Sequence, residues 1–195
     1  SENDFEVIVI DDGSSDHSLE IINSYKDEFK NLFIYHQNNM GIGYVKKRAI
    51  SLANGEYIIF LDADDTLDSN LLHTLKLYIL EKKPDIIRYN IDEINGMKDK
   101  NRYINTQYGL MTGKAALELW SEINIRYGIF SMYAIKRNLF CKINFIVLNY
   151  YEDVVNIPRL LYFARSVLVL NYTGYYYYRN DNSLFNLSEL QDLNK

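Results

Sequence analysis

The sequence is poor in several residue types that would mark whole classes of protein. It has one cysteine in 195 residues, Cys141. One thiol excludes an internal disulfide framework and leaves no cysteine set for zinc. A reducing, cytoplasmic setting fits, and Cys141 is expected to be a small buried apolar residue. With two prolines and no low-complexity run, nothing reads as a linker. No stretch approaches the ~18 apolar residues of a membrane-spanning helix. The opening SENDFEV is acidic and turns straight into a strand pattern, unlike a secretory leader. Net charge is −5, with 21 Lys+Arg against 26 Asp+Glu, so no nucleic-acid surface is expected.

What is present is a packable chain, 48% apolar and rich in tyrosine. Its first half alternates. Strand patterns at 5–10, 32–36, 57–61 and 85–91 are separated by helical spacing at 14–30, 43–53 and 69–83. Such alternation implies an α/β fold with a mostly parallel sheet, its four strands together and flanked by helices. Beyond about residue 110 the pattern loosens. Helices are expected at 112–120 and 151–165, a short strand and turn at 132–140, and two strands at 166–172 and 174–179. The division expected is a nucleotide-type half, 1–110, and an acceptor-side half of the same domain, 111–195.

Two strands run into acids: VIVI into Asp11-Asp12, and YIIFL into Asp62, Asp64 and Asp65. Parallel strands would present both sets on one edge, where open α/β sheets bind ligands. Crowded carboxylates need a metal, a basic side chain or a proton to offset them. A hard divalent cation, Mg²⁺ or Mn²⁺, suits oxygen ligands and keeps sites for phosphate. The plainer alternative is turn and cap duty, which is the expectation for Asp16 and Asp68. His17, His36 and His73 are scattered and read as surface or packing residues. Tyr175 to Tyr178 alternate along a strand, with packing the expected role over an acceptor groove.

VIVIDDGSSDHS, then NNMGIGYVKKRAISLANGEYIIFLDADDTL, then YEDV resemble glycosyltransferase family 2, inverting enzymes of the GT-A (Rossmann-like) fold. The resemblance implies a nucleotide-sugar donor, often a UDP-sugar, a divalent cation and a glycan or lipid-linked acceptor. It assigns Asp12 to the base, and Asp62 to the ribose or the metal's water shell. Asp64 is assigned to the metal, and Arg48 to the nucleotide. Asp153 of the Glu152-Asp153 pair becomes the general base. Arg48 could equally be a solvated helix charge beside Lys46 and Lys47. Glu152 and Asp153 would also suit a helix N-terminus through its dipole. The setting implied is bacterial polysaccharide synthesis, in the cytoplasm or peripherally at the inner face of the membrane. Family members normally begin with a further strand and helix at the centre of the sheet. Its lack here would expose strand edges, which points to a fragment of a longer chain. Two rival readings remain open. One is a phosphatase of the haloacid-dehalogenase type using Asp62 as nucleophile. The other is a degenerate, non-catalytic binding module.

Overall fold

The computed structural model describes residues 4–94, 102–103, 107–122 and 129–178. The loosened pattern at 95–101 and the end of the last expected strand lie outside these residues.

Strand β1 (Val7–Asp11) pairs in parallel with β2 (Leu32–His36), joined by helix α1 (Ser18–Ser24). Helix α2 (Ile42–Leu52) leads into β3 (Tyr57–Ile59) and the short β4 (Thr66–Leu67). Helix α3 (Leu71–Lys82) then precedes β5 (Ile86–Ile94). Strands β6 (Arg102–Tyr103) and β7 (Gly109–Met111) come next, then helix α4 (Gly113–Glu122) and strand β8 (Tyr133–Lys136). Helix α5 (Glu152–Phe163) and the long β9 (Val167–Tyr178) complete the described chain.

The α/β class stands, but the pairing departs from a single, mainly parallel sheet. Strands β1 and β2 form their own ladder. The larger sheet has the order β3-β8-β5-β9-β4, with β6 on β5 and β7 on β9. Only β5 and β9 pair in parallel there. The chain returns through antiparallel β8 and fills the space between β3 and β5. Since β8 opposes both, β3 and β5 still run the same way.

The Glu6 carboxylate fixes how the two sheets start. Its Oε1 accepts the backbone N–H groups of Asn54 at 2.6 Å and Gly55 at 2.7 Å. Thus the residue before β1 and the turn before β3 meet at one clasp. Helix α2 spans the return path, from Gly41 beside Asp12 to the clasp.

The core belongs to the larger sheet. Strand β5 is buried from Ile86 to Glu93, as a central strand covered on both faces must be. Among the described residues, no apolar side chain before Ile58 is buried, and α1 buries none. Phe5, Val7, Ile21 and Phe33 are exposed. Cys141 is exposed too, against expectation, because it sits on a 3₁₀ turn whose inward places go to Leu139 and Phe140.

The two strands expected at 166–172 and 174–179 are one. Gly174 does not turn the chain; it lets β9 pass close to its neighbours. A Cβ there would come within 2.6 Å of Leu71 Cδ1 and 2.9 Å of Tyr89 Cδ2. Gly174→Ala should therefore lower the unfolding free energy in urea by about 1–3 kcal/mol, the usual range for overpacking. An unchanged midpoint would mean that Leu71 and Tyr89 can yield.

Candidate active site

The first acid pair splits into two duties. Asp11 is buried; its Oδ2 lies 2.6 Å from His36 Nδ1 and its Oδ1 accepts Ser14 N–H at 3.2 Å. It closes the turn after β1. Asp12 faces the loop before α2. Its Oδ1 accepts Gln37 Nε2 at 2.6 Å and Met40 N–H at 3.0 Å, and its Oδ2 accepts Gly41 N–H at 2.9 Å. Arg48 Nη1 donates to Gln37 Oε1 at 2.7 Å, so Arg48 and Asp12 share one network through Gln37. The guanidinium also lies 5.6 Å from the Tyr35 ring centroid.

The second set follows β3. Asp62 N–H donates to Tyr175 Oη at 3.2 Å, and its Oδ2 accepts Ser131 Oγ at 3.2 Å. Asp65 is buried: its Oδ2 accepts Tyr175 Oη at 2.6 Å and its Oδ1 accepts Tyr178 N–H at 2.8 Å. Burial pushes its carboxyl up to about 6, with Asp64 and Asp62 adding like charge. Asp65 is thus built into the floor. Asp64 is exposed and has no protein partner among the described residues. Asp68 closes the turn ahead of α3, whose N-cap is Asn70: it accepts Asn70 N–H at 3.0 Å and also the Tyr172 hydroxyl. Asp16 likewise accepts Ser18 N–H at 3.0 Å at the start of α1.

The third set opens α5. Tyr151 precedes it at φ +61°, a left-handed backbone that few bulky residues adopt. Asn156, fully buried, staples the helix start. It takes Ile146 N–H at 2.9 Å and donates to Ile146 O at 2.8 Å and Glu152 O at 2.6 Å. Glu152 is buried, and its Oε1 is 2.5 Å from Lys46 Nζ. Asp153 Oδ1 takes only the neighbouring Val154 N–H, at 2.8 Å. Burial pushes the Asp153 carboxyl up to about 6; Lys46 opposes that rise and Glu152 adds to it.

Lys46 is the residue that sequence reasoning missed, grouped with Lys47 as a solvated helix charge. It is 9% exposed, and its ammonium sits 5.4 Å from the Phe130 ring centroid and 6.0 Å from that of Phe60. The signal was its spacing: four residues from Ile42 and three from Ala49, it lies on the inward stripe of α2. Because Phe60 precedes Asp62 by two residues and Phe130 adjoins Ser131, Lys46 also links the β3 acids to the start of α5.

Among the described residues, no three His, Cys, Asp or Glu side chains gather tightly enough to hold a metal alone. An Mg²⁺-type site does not need that. It uses one or two carboxylates, waters and substrate phosphates. An exposed, unpartnered Asp64 beside a half-engaged Asp62 fits such a donor set.

The fold and these motifs coincide with a known family. The model for glycosyl transferase family 2 matches residues 1–143, and the chain belongs to that family. Glycosyltransferase GlyG of Streptococcus pneumoniae is 29% identical over 203 residues, covering 96% of this chain and 67% of its own. The cholesterol galactosyltransferase of Borreliella burgdorferi is 29% identical over 202 residues, covering 95% of this chain and 54% of its own. The crystal structure of S. aureus TarS 1-349 in complex with UDP-GlcNAc superposes with a TM-score of 0.78 at 22% identity. It covers 95% of this chain and 53% of that one. The architecture is therefore the GT-A fold. The chain spans about half to two thirds of the length of these relatives. No helix among the described residues is long and apolar enough to cross a membrane.

Asp153 offers a test that needs no substrate. Its pKa rises on folding from 3.8 to about 6. Between those values the folded chain keeps a proton that the unfolded chain releases, so stability falls as pH rises through that window. The full shift would correspond to about 3 kcal/mol, reduced by the partial exposure of the carboxyl. Asp153→Asn cannot ionise. It should be more stable than the parent near neutral pH by about 1–3 kcal/mol and little different near pH 4. Urea denaturation at the two pH values measures this, and an equal offset at both would refute the buried-carboxylate account.

Proposed function

We propose that the chain transfers a sugar from a nucleoside diphosphate sugar, UDP-linked, to a hydroxyl of a glycan or lipid-linked acceptor, with inversion. The observation that carries this reading is Asp153: a half-buried carboxyl at the start of α5 with no charged bonding partner, its pKa pushed up to about 6. That is the property a general base needs. The acceptor hydroxyl gives its proton to Asp153 as its oxygen attacks the anomeric carbon. The bond from that carbon to the diphosphate breaks, and the diphosphate leaves with the electron pair. A divalent cation, Mn²⁺ or Mg²⁺, held by Asp64 with Asp62 nearby, would neutralise the leaving diphosphate. Asp12 and Arg48 act on the nucleoside side, Asp12 by fixing the loop that opens α2. The UDP and UDP-GlcNAc complexes of S. aureus TarS support a uridine donor. The cholesterol galactosyltransferase of Borreliella burgdorferi supports a lipid acceptor and a role in glycolipid synthesis; polysaccharide synthesis is the alternative role. The cytoplasmic face of the membrane is where such donors and acceptors meet.

The experiment is a screen of UDP-glucose, UDP-galactose and UDP-GlcNAc with Mn²⁺, scored by released UDP and sugar transfer. Asp153→Asn should lower turnover by ~10²–10⁴-fold and leave UDP affinity near normal, since a base acts on the acceptor. Asp64→Ala should instead lose Mn²⁺-dependent UDP binding by calorimetry while its melting temperature stays unchanged. Undiminished transfer by Asp153→Asn at saturating acceptor would remove the base assignment. Equal UDP binding with chelator would remove the cation.

A further inference from the structure

The arrangement about Asp153 raises a question that the family match does not answer. A half-buried carboxylate holds its proton more tightly unless a cation offsets the lost water. A cation bonded to it directly would instead leave it too weak a base. The chain takes a third course. Lys46 Nζ lies 2.5 Å from Glu152 Oε1, the residue next to Asp153. We propose that Lys46 is a positioning residue for the reaction. On this proposal its ammonium, fixed by Glu152 and two phenylalanine rings, keeps Asp153 basic without bonding to it and couples the base to helix α2.

The proposal rests on the reading of Asp153 as base. Its geometric support is the Lys46–Glu152 pair, fixed at the residue next to Asp153. Both side chains of the pair are nearly out of water, at 11% and 5% exposure, so screening is weak and position decides the field. The rings of Phe60 and Phe130 hold the ammonium. Other groups around Asp153 do not substitute for it. Glu152, on the same helix, carries like charge. Tyr133, from β8, is a neutral phenol, its ionisation pushed up by burial and by Asp153. Arg88, from β5, lies 5.8 Å from the Tyr133 ring centroid. Lys46 is the cation that acts against the burial of Asp153.

The pair also has reach. Helix α2 begins at Gly41, whose N–H binds Asp12, and it rests on the segment leading to α5. A Cβ on Gly43 would lie 2.3 Å from Leu148 O. One rigid helix therefore carries the contact to Asp12 at its first turn and the contact to Glu152 one turn later. A shift of α2 on donor binding would reach the base through Lys46.

The test reads the Asp153 carboxyl itself, by carbon NMR of the full chain labelled at aspartate carboxyls. The resonance is assigned by its loss in Asp153→Asn. The parent should titrate at about 6. Lys46→Met should raise that value by about one unit, a tenfold loss of basic form near neutrality. Glu152→Gln should lower it, because a like charge is lost beside Asp153 and the ammonium is freed. Lys46→Arg should restore the parent value. Unmoved titrations, or shifts of the same sign in Lys46→Met and Glu152→Gln, would overturn the proposal. If Lys46→Met does not fold, Lys46→Gln, which keeps a hydrogen bond to Glu152 without the charge, decides: a rise supports the proposal and no rise overturns it. In turnover with the UDP-sugar found active, Lys46→Met should lower kcat and move the acid limb to higher pH, with the donor KM little changed. A wrong base assignment is separable. Asp153→Asn would then keep its transfer rate whatever the titrations do.

Discussion

Negative charge brought to the ends of strands must be matched by something, and most of the local structure follows from how each carboxylate is matched. Asp11 meets His36 and a backbone amide. Asp12 takes two amides and Gln37. Asp65 takes a tyrosine hydroxyl 110 residues away and an amide 113 residues away. Asp85, at the foot of β5, takes the Arg165 guanidinium and amide. Glu152 takes Lys46. Two acids stand apart from this pattern. Asp64 faces solvent and Asp153 has only its neighbour's amide.

This sorting could not be read from the motifs alone. In DDGS the two aspartates are chemically identical, and only the fold turns one inward to a histidine and the other to a loop. In DADD the last acid looks as available as the one before it. What buries Asp65 is Tyr175, more than a hundred residues away, within a run of tyrosines whose pairing has no local signal. Lys46 is the same case reversed. Its helical position marked it as inward, but charge argues for solvent until Glu152 is found opposite.

The elements themselves were largely legible, because each is set by local spacing. Strand 32–36 and the helices around 43–53, 69–83 and 151–165 appear within a residue or two of expectation. The strand order was not legible. Alternation fixes the direction in which β3 and β5 run but not what lies between them, and four residues of β8 decide that. The division near residue 110 likewise follows a change in pattern, not a change in packing.

The weaving of strands across that division limits how such a chain can diversify. Strand β5 comes from the first part, while β8 and β9, the neighbours along its length, come from the second. A cut between the parts would strip the central strand of both. Recombination of whole halves between relatives would ask two foreign strands to match an existing ladder residue by residue. Novelty has an easier route through the connections, such as those entering β8 and α5, which can change length and chemistry while the ladder keeps its register.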